Sequence, residues 1–199
     1  MIEREEPWIQ SFSGRKITPL HLRPEQVCLE DIAHALSNKA RFTGHTREFY
    51  SVAQHCVIGS RLMPPSYALA FLLHDVSETY LPDIASPLKS RVRWIDAGGL
   101  PVYWTGLEQA HQRVIFQALW HESLLPLLAS KEVREMDIAM LLAERDAFLL
   151  KPPADWMIEG TPAPVALKSW TPLQAEACFL DQYHRCTKAS VEKDGRIYG

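Results

Sequence analysis

The chain of 199 residues has few cysteines and no long hydrophobic run, and both absences limit what it can be. Its four cysteines show no CxxC spacing, and residues 1–10 lack the apolar run of a signal peptide. We therefore expect reduced thiols and a cytoplasmic location. The richest apolar stretch, residues 67–73, falls far short of the roughly 18 residues that a membrane span needs.

Neither sign of charge is in large excess. The net charge is -3, which gives no broad cationic face for a long nucleic acid, so a small anionic substrate would need a local basic pocket. A hydrophobic content of 47% with 23% charged residues is typical of a globular protein. The length predicts one domain, which buries enough surface to be stable without disulfides.

Helical periodicity dominates the chain and predicts an all-α bundle. Prolines and capping residues bound the periodic segments, because proline cannot continue the helical hydrogen-bond ladder. A small N-terminal β-hairpin is expected within residues 8–20, where a Ser-Gly-Arg turn joins two short β-compatible runs. The predicted helices cover residues 29–38, 49–62, 67–80, 107–119, 132–149 and 173–187.

We expect a single domain over residues 1–199, made of four successive parts. Residues 1–27 form an N-terminal appendage and residues 28–150 the helical core. Five prolines mark residues 151–172 as a surface excursion, and a C-terminal helix over 173–188 follows. Residues 84–101 are broken by Pro and Gly, which favours a loop with short helical turns over the site.

The chemistry is concentrated in two neighbouring segments, SVAQHC and LLHDVSETYLPDIASPLK. They contain His55, the adjacent pair His74 and Asp75, and then Glu78 and Asp83. Burying such a group after the run ALAFLL is costly unless its charges are paired or coordinated. The pattern therefore indicates a metal site rather than an ordinary core helix.

A fourth ligand is expected from a more distant helix. Asp137 lies on an apolar helix face and would complete a set of two nitrogens and two oxygens with His55, His74 and Asp75. Such a set suits one divalent ion, Mn, Co, Zn, Fe or Mg, without choosing among them. Asp146 is the rival; we prefer Asp137 because its apolar flanks predict burial. Eight histidines in the chain also make chance clustering a real alternative.

These residues resemble the H...HD...D signature of HD-domain metal-dependent phosphohydrolases, an all-α family. The stretch ARFTGHTREFYSVAQH, the HDxSE motif with Asp83, and the PLK element ending at Lys89 are similar to one branch of it. That branch contains bacterial deoxynucleoside 5'-monophosphatases and phage deoxynucleoside triphosphohydrolases. The resemblance covers roughly residues 29–150.

The resemblance implies that His55, His74, Asp75 and Asp137 bind the metal and that Glu78 and Asp83 occupy the acid/base positions. We assign the proton donor to Glu78 and the water-orienting carboxylate to Asp83.

Substrate contacts are expected from residues around this set. Arg41 and Lys89 are candidate phosphate clamps, although each suits an exposed surface equally well. Arg134, one turn before Asp137, is a further candidate cation. Phe42 and His45 flank Arg41 and are candidates for stacking on a base or touching its sugar, while a Phe in this context also packs against helices.

The sequence thus predicts an enzyme that hydrolyses deoxynucleotides, releasing phosphate from a monophosphate or triphosphate from a dNTP. The alternatives are a non-catalytic nucleotide- or partner-binding module on the same fold, or an HD-type di-iron oxygenase. The oxygenase would need additional histidines, for which His45 is the only nearby candidate. No membrane partner is expected, and a homodimer is the expected assembly.

Overall fold

Helices account for most of the computed structural model, which describes residues 6–95 and 99–194, with side chains described up to residue 188. Their positions agree with the predicted all-α class, and two small strand pairs accompany them. The α-helices are numbered α1 to α8 in chain order. The helices are α1 Leu29–Asn38, α2 Val52–Leu62, α3 Pro65–Leu72, α4 Ser86–Lys89, α5 Trp104–Ala118, α6 Leu125–Leu128, α7 Lys131–Phe148 and α8 Pro172–Asp194.

The predicted N-terminal hairpin is present. Strand β1, Ile9–Gln10, pairs antiparallel with β2, Lys16–Ile17, and Gly14 supplies the positive φ of the turn between them. The hairpin is not an appendage, however, because Ile17 is fully buried and Leu22 and Val27 join the same apolar cluster. Residues 17–27 therefore contribute side chains to the helical core, while strand β1 stays exposed.

Helix α2 lies at the centre of the bundle and is enclosed by α1, α3 and α8. Val52, Ala53, Cys56 and Val57 are fully buried there. Burial of each large apolar side chain stabilises the fold by about 1.5–3 kcal/mol. Ser51 caps this helix by accepting a hydrogen bond from the Gln54 N–H at 3.1 Å, so α2 begins at residue 52 rather than at 49.

Helix α3 ends much earlier than the periodicity predicts. It stops at Leu72, and the chain continues as a tighter 3₁₀ turn over Val76–Thr79. The Phe71 carbonyl belongs to the last helical turn, whose carbonyls lack intrahelical donors, and it accepts from the His74 N–H at 3.3 Å and from the His74 ring at 2.6 Å. Local bonds to one side chain thus take the place of further helix.

Residues 84–103 contain a hairpin that the sequence did not indicate. After α4, strand β3, Arg93–Ile95, pairs antiparallel with β4, Pro101–Tyr103. Trp94 packs against a small cluster of Leu81, Trp104 and Leu107, which fixes the hairpin to the start of α5. Cross-strand packing, which local breakers do not reveal, therefore decides the structure here.

The proline-rich residues 151–171 form no helix or strand but are tied to α7. The Ala163 N–H donates to the Ala139 carbonyl at 2.8 Å, and Ala163 is buried in the cluster around Phe71 and Met140. Within the described residues, no helix combines the length and apolarity that crossing a membrane would require. The homodimer stays a prediction.

Gly59 allows α2 and α3 to approach closely, and its replacement is expected to destabilise the protein. A Cβ atom there would collide with the ring of Phe71, which is fully buried and lies 4.5 Å, centroid to centroid, from the ring of His74. We expect Gly59→Ala to lower the free energy of unfolding by about 1–3 kcal/mol, measured by urea denaturation.

Gly106→Ala is the matched control, because Gly106 lies inside α5 with open space around its Cβ position. This change is expected to be neutral or to stabilise by up to about 1 kcal/mol. Equal effects of the two substitutions would contradict the proposed close packing.

Candidate metal centre

Two imidazoles and two carboxylates from three separate parts of the chain meet at one point. His55 comes from the first turn of α2, His74 and Asp75 from the turn that ends α3, and Asp137 from α7. The His55 Nε2 atom lies 3.3 Å from His74 Nε2 and 3.3 Å from Asp137 Oδ1. Asp75 Oδ2 lies 3.3 Å from His74 Nε2 and 3.9 Å from His55 Nε2.

These separations fit a shared ion. Two ligand atoms, each about 2.1 Å from one metal, lie about 3.0 Å apart at right angles and about 4.2 Å apart when opposite. The fifth measured pair, His74 Nε2 and Asp137 Oδ1, lies at 3.7 Å and falls within the same span. Buried His and Asp side chains here could hold a metal ion.

The protonation of both imidazoles favours the same conclusion. The Nδ1 atom of His74 donates to the Phe71 carbonyl at 2.6 Å, since a carbonyl can only accept. The Nδ1 atom of His55 lies 2.6 Å from the carboxylate of Glu144 and donates to it. The Nε2 atom of each ring therefore faces the two aspartates, where it can carry a proton or, as a lone pair, bind a cation.

Glu144 is the buried residue that holds this cluster in place. Its side chain has no solvent exposure, and one carboxylate oxygen accepts from His55 and, at 2.9 Å, from the Tyr50 hydroxyl. The other oxygen accepts from Arg41 Nε at 3.0 Å, while Arg41 Nη1 reaches Asp75 at 3.5 Å. Burial raises the pKa of Glu144, but Arg41 and His55 outweigh it and bring the pKa below its ordinary value.

The carboxylates of the cluster stabilise positive charge at its histidines. Burial lowers the pKa of His74, yet Asp75 and Asp137 outweigh this and raise the pKa well above its usual value. Burial likewise raises the pKa of Asp137, but hydrogen bonds and charge from the two histidines bring it well below 3.8. The site therefore binds either protons or a cation, and a metal ion would compete with the protons.

A thiol lies beside the same histidine. Cys56, His74 and Asp75 also place one ligand atom each within 4.8 Å of one another. Burial raises the pKa of Cys56 to about 11, so a thiolate ligand would form only if a metal ion displaced its proton. The two aspartates need no such step, because their pKa values lie below the ordinary value.

A cleft of about 540 Å³ opens on the carboxylate side of the cluster. The two histidines do not line it, and the His55 side chain has no exposed surface, whereas 46% of the Asp137 side chain is exposed. Glu78, Asp83, Lys89 and Arg41 line the cleft together with Asp75 and Asp137. Phe42, Leu141, Trp156 and Ile158 also line it.

Glu78 is an unusual carboxyl group in this cleft. Burial raises its pKa to about 8, with further contributions from Asp75 and Asp83, and Lys89 only partly opposes them. Lys89 Nζ lies 3.5 Å from Glu78 and 2.9 Å from Glu108, so Glu108 shares its charge. The second carboxyl oxygen of Glu78 is buried without a hydrogen-bond partner. These surroundings favour the protonated form of Glu78 at neutral pH.

Comparison with known proteins places the chain among relatives of unknown role. It is 36% identical over 157 residues to the uncharacterized protein YfdR of Escherichia coli (strain K12), covering 78% of this chain and 81% of that protein. The chain belongs to the YfdR family. It is also 29% identical over 193 residues to the uncharacterized protein RCAP_rcc00048 of Rhodobacter capsulatus, covering 89% of this chain and 94% of that protein. No protein-family model matches the sequence.

In this member of the YfdR family, two of the predicted substrate-binding residues lie away from the cleft. His45 is exposed, because the turn after Phe42 carries it outward, and it does not line the cleft. Arg134 is also exposed and does not line the cleft, although it precedes Asp137 by about one turn. Asp146, the rival ligand, is exposed and pairs with Arg145 at 2.8 Å.

Three residues near the cluster were not among the predicted site residues. Glu144 follows Asp137 by seven positions, which puts both on one helix face two turns apart, and this spacing was a usable signal. Tyr50 and Trp156 gave no signal, since a tyrosine before a helix and a tryptophan in a proline-rich segment are both common in cores and loops.

We expect Glu144→Gln to weaken metal binding by about 10- to 100-fold, because the amide cannot hold the His55 ring and Arg41 in the same way. Binding of Mn²⁺ or Co²⁺ by isothermal titration calorimetry measures the effect, with unfolding monitored alongside.

Asp146→Asn is the matched control on the same helix, and its metal affinity is expected to equal that of the unmodified chain. A loss of affinity in Asp146→Asn without one in Glu144→Gln would contradict this assignment of the supporting carboxylate.

Proposed function

We propose that this protein is a metal-dependent phosphohydrolase acting on deoxynucleotides. The observation that supports it best is the convergence of His55, His74, Asp75 and Asp137 on one point at the base of a cleft. These are the residues that the resemblance to HD-domain phosphohydrolases assigns to the metal. Glu78, Asp83, Arg41 and Lys89 line the same cleft, as phosphate chemistry requires.

The donor set suits a transition metal. Two imidazole nitrogens favour Mn, Co, Fe or Zn over Mg, which prefers oxygen ligands and retains several waters. When bound, such an ion polarises a phosphoryl oxygen and lowers the pKa of a coordinated water.

The side chains around the ion divide the remaining work. Lys89 and Arg41 hold the phosphoryl oxygens, Lys89 as a point charge and Arg41 through the part of its guanidinium not bonded to Glu144. Asp83 accepts a hydrogen bond from the attacking water and orients it. Glu78, neutral at pH 7, donates its proton to the oxygen that leaves with the sugar.

The charges that line the cleft favour a single phosphate. With Glu78 neutral, three carboxylates face the two cations Arg41 and Lys89, so a divalent ion leaves only about one net positive charge. A monophosphate carries roughly two negative charges, and a triphosphate carries about twice that and would need further cations. Arg134 does not supply one, because it lies outside the cleft. A deoxynucleoside 5'-monophosphate is therefore the favoured substrate.

The di-iron oxygenase alternative lacks its ligands. Among the residues that the structure describes, the candidate metal groups contain only His55 and His74 as histidines. His45 is exposed and does not line the cleft, so it adds no nitrogen to a second ion.

The proposal predicts release of inorganic phosphate from deoxynucleoside monophosphates when Mn²⁺ or Co²⁺ is added to chelator-treated protein. Triphosphates are expected to react at least about tenfold more slowly, because the cleft lacks cations for them. Phosphate and triphosphate are quantified separately.

His74→Ala is expected to lose metal loading and at least about 100-fold in turnover together, since it removes a ligand and not only its support. His184→Ala, on the exposed side of α8, is the matched control and should leave both unchanged. Absence of hydrolysis across the panel, or full activity in His74→Ala, would overturn the proposal.

The role of Glu78 predicts a rate that falls at high pH. Below its raised pKa the carboxyl carries the proton to be donated, and above it the group is ionised and cannot donate. The kcat should therefore decline as pH rises through about 8, or somewhat lower because a bound cation stabilises the carboxylate. Glu78→Gln should lower kcat by about 100-fold or more and remove this alkaline limb, measured as a kcat–pH profile. A limb that persists unchanged in Glu78→Gln would assign the ionisation to another group.

A further inference from the structure

One side of the cleft is aromatic and apolar, and the proposed hydrolytic chemistry does not use it. Phe42 and Trp156 lie there with ring centroids 6.4 Å apart and planes inclined by 50°. Leu141 and Ile158 also line the cleft, and Leu141 lies one turn beyond the candidate ligand Asp137 on α7. We call Phe42 and Trp156 the aromatic pair.

Both rings are carried by strained backbone. Phe42 and the following Thr43 have φ values of 54° and 53°, and Met157, which follows Trp156, has a φ of 53°. A side chain with a Cβ rarely adopts this left-handed region, and such residues concentrate at ligand-binding sites, where the surrounding structure maintains the strain. Two separate loops thus carry unfavourable backbone at the point where each presents a ring to the cleft.

The loop of Trp156 is anchored so that the ring stays beside the metal cluster. The Ala163 N–H bonds to the Ala139 carbonyl of α7, and Met157 N–H donates to Asp155 at 2.9 Å. The guanidinium of Arg145 lies 5.7 Å from the Trp156 ring centroid, within cation–π distance. One helix, α7, therefore positions both Asp137 and the loop that carries Trp156.

The aromatic pair suits a planar ligand. The rings, 6.4 Å apart and inclined by 50°, are in tilted contact with each other, so a base would stack on a ring face that lines the cleft rather than between the rings. Arg41, whose neighbour is Phe42, reaches Asp75 at 3.5 Å, so a ligand on these rings would lie next to the phosphate-binding end of the cleft.

We propose, resting on the function proposed above, that the aromatic pair binds the nucleobase of the substrate. Stacking on an aromatic side chain is possible for any base, because every base has an aromatic face. Among the described residues that line the cleft, the uncharged side chains with hydrogen-bonding groups are Thr43, Ser86 and Trp156, too few to read the edges of a base in detail. The pair therefore selects nucleotides over phosphorylated sugars while discriminating little among bases.

The test measures deoxynucleoside binding and selectivity separately in Trp156→Ala and in the unmodified chain. Binding of deoxyadenosine and thymidine to chelator-treated protein, by isothermal titration calorimetry, requires neither metal nor hydrolysis. We expect Trp156→Ala to weaken this binding by about 5- to 150-fold and Trp156→Phe to restore most of it. The kcat/KM for deoxynucleoside monophosphates should fall by a similar factor, while that for 2-deoxyribose 5-phosphate should not change.

Trp120→Ala is the matched control, since Trp120 is 88% exposed and does not line the cleft. Hydrolysis of monophosphates with nucleoside affinity and selectivity unchanged in Trp156→Ala would overturn the stacking proposal and leave the hydrolase intact. No hydrolysis by the unmodified chain, with nucleoside binding that depends on Trp156, would overturn the hydrolase and retain the stacking site. Failure of the unmodified chain to bind nucleosides would overturn the stacking proposal.

Discussion

The structure depends on one electrostatic arrangement, in which two imidazole lone pairs and two carboxylates point at a common centre. Five pairs of these acceptor atoms lie 3.3–3.9 Å apart, and acceptors this close repel each other unless a positive charge, a proton or a metal ion, lies between them. The fold nevertheless directs two helices and a helix end toward this point. Full burial of His55 and the fixing of both rings through Nδ1 leave the two Nε2 atoms positioned to hold a cation there.

Glu144 is the buried carboxylate that supports this centre from the interior of the protein. A buried carboxylate is costly, and its three donors from Arg41, Tyr50 and His55 offset the desolvation only because they are all present. The same residue therefore links stability to site geometry, since each donor it satisfies comes from a different region: the loop after α1, the residues before α2, and α2 itself. The apolar core around Phe71 sets how closely α2 and α3 approach, and Glu144 sets how the polar groups between α2 and α7 are oriented.

Much of this could be predicted from local pattern, but not its details. Apolar periodicity correctly gave the all-α class and most helix positions, because each helix buries one face. Asp137 was preferred for an expected burial, yet almost half of its side chain is exposed, because it faces the cleft rather than the core. The end of α3 at Leu72 depends on the bond between the His74 ring and the Phe71 carbonyl, and periodicity contains no information about it. Arg134 shows the same limit. Helical spacing put it on the same face as Asp137 but did not show that its side chain lies outside the cleft.

The carboxyl groups of the cleft differ in charge state because their surroundings differ, and this difference separates the candidate metal ligands from the candidate proton donor. Asp75 and Asp137 lie against imidazoles, and Asp75 also against Arg41, so their pKa values stay low and they remain anionic. Glu78 lies only three residues beyond Asp75, but it is buried, one of its oxygens has no donor among the described residues, and it shares Lys89 with Glu108. Separation of this kind between neighbouring acids is how a site keeps ionised ligands and a proton donor at the same pH. Lys39 donates to the carbonyls of Glu78 and Leu81 and so holds the backbone that carries the Glu78 side chain at the cleft wall.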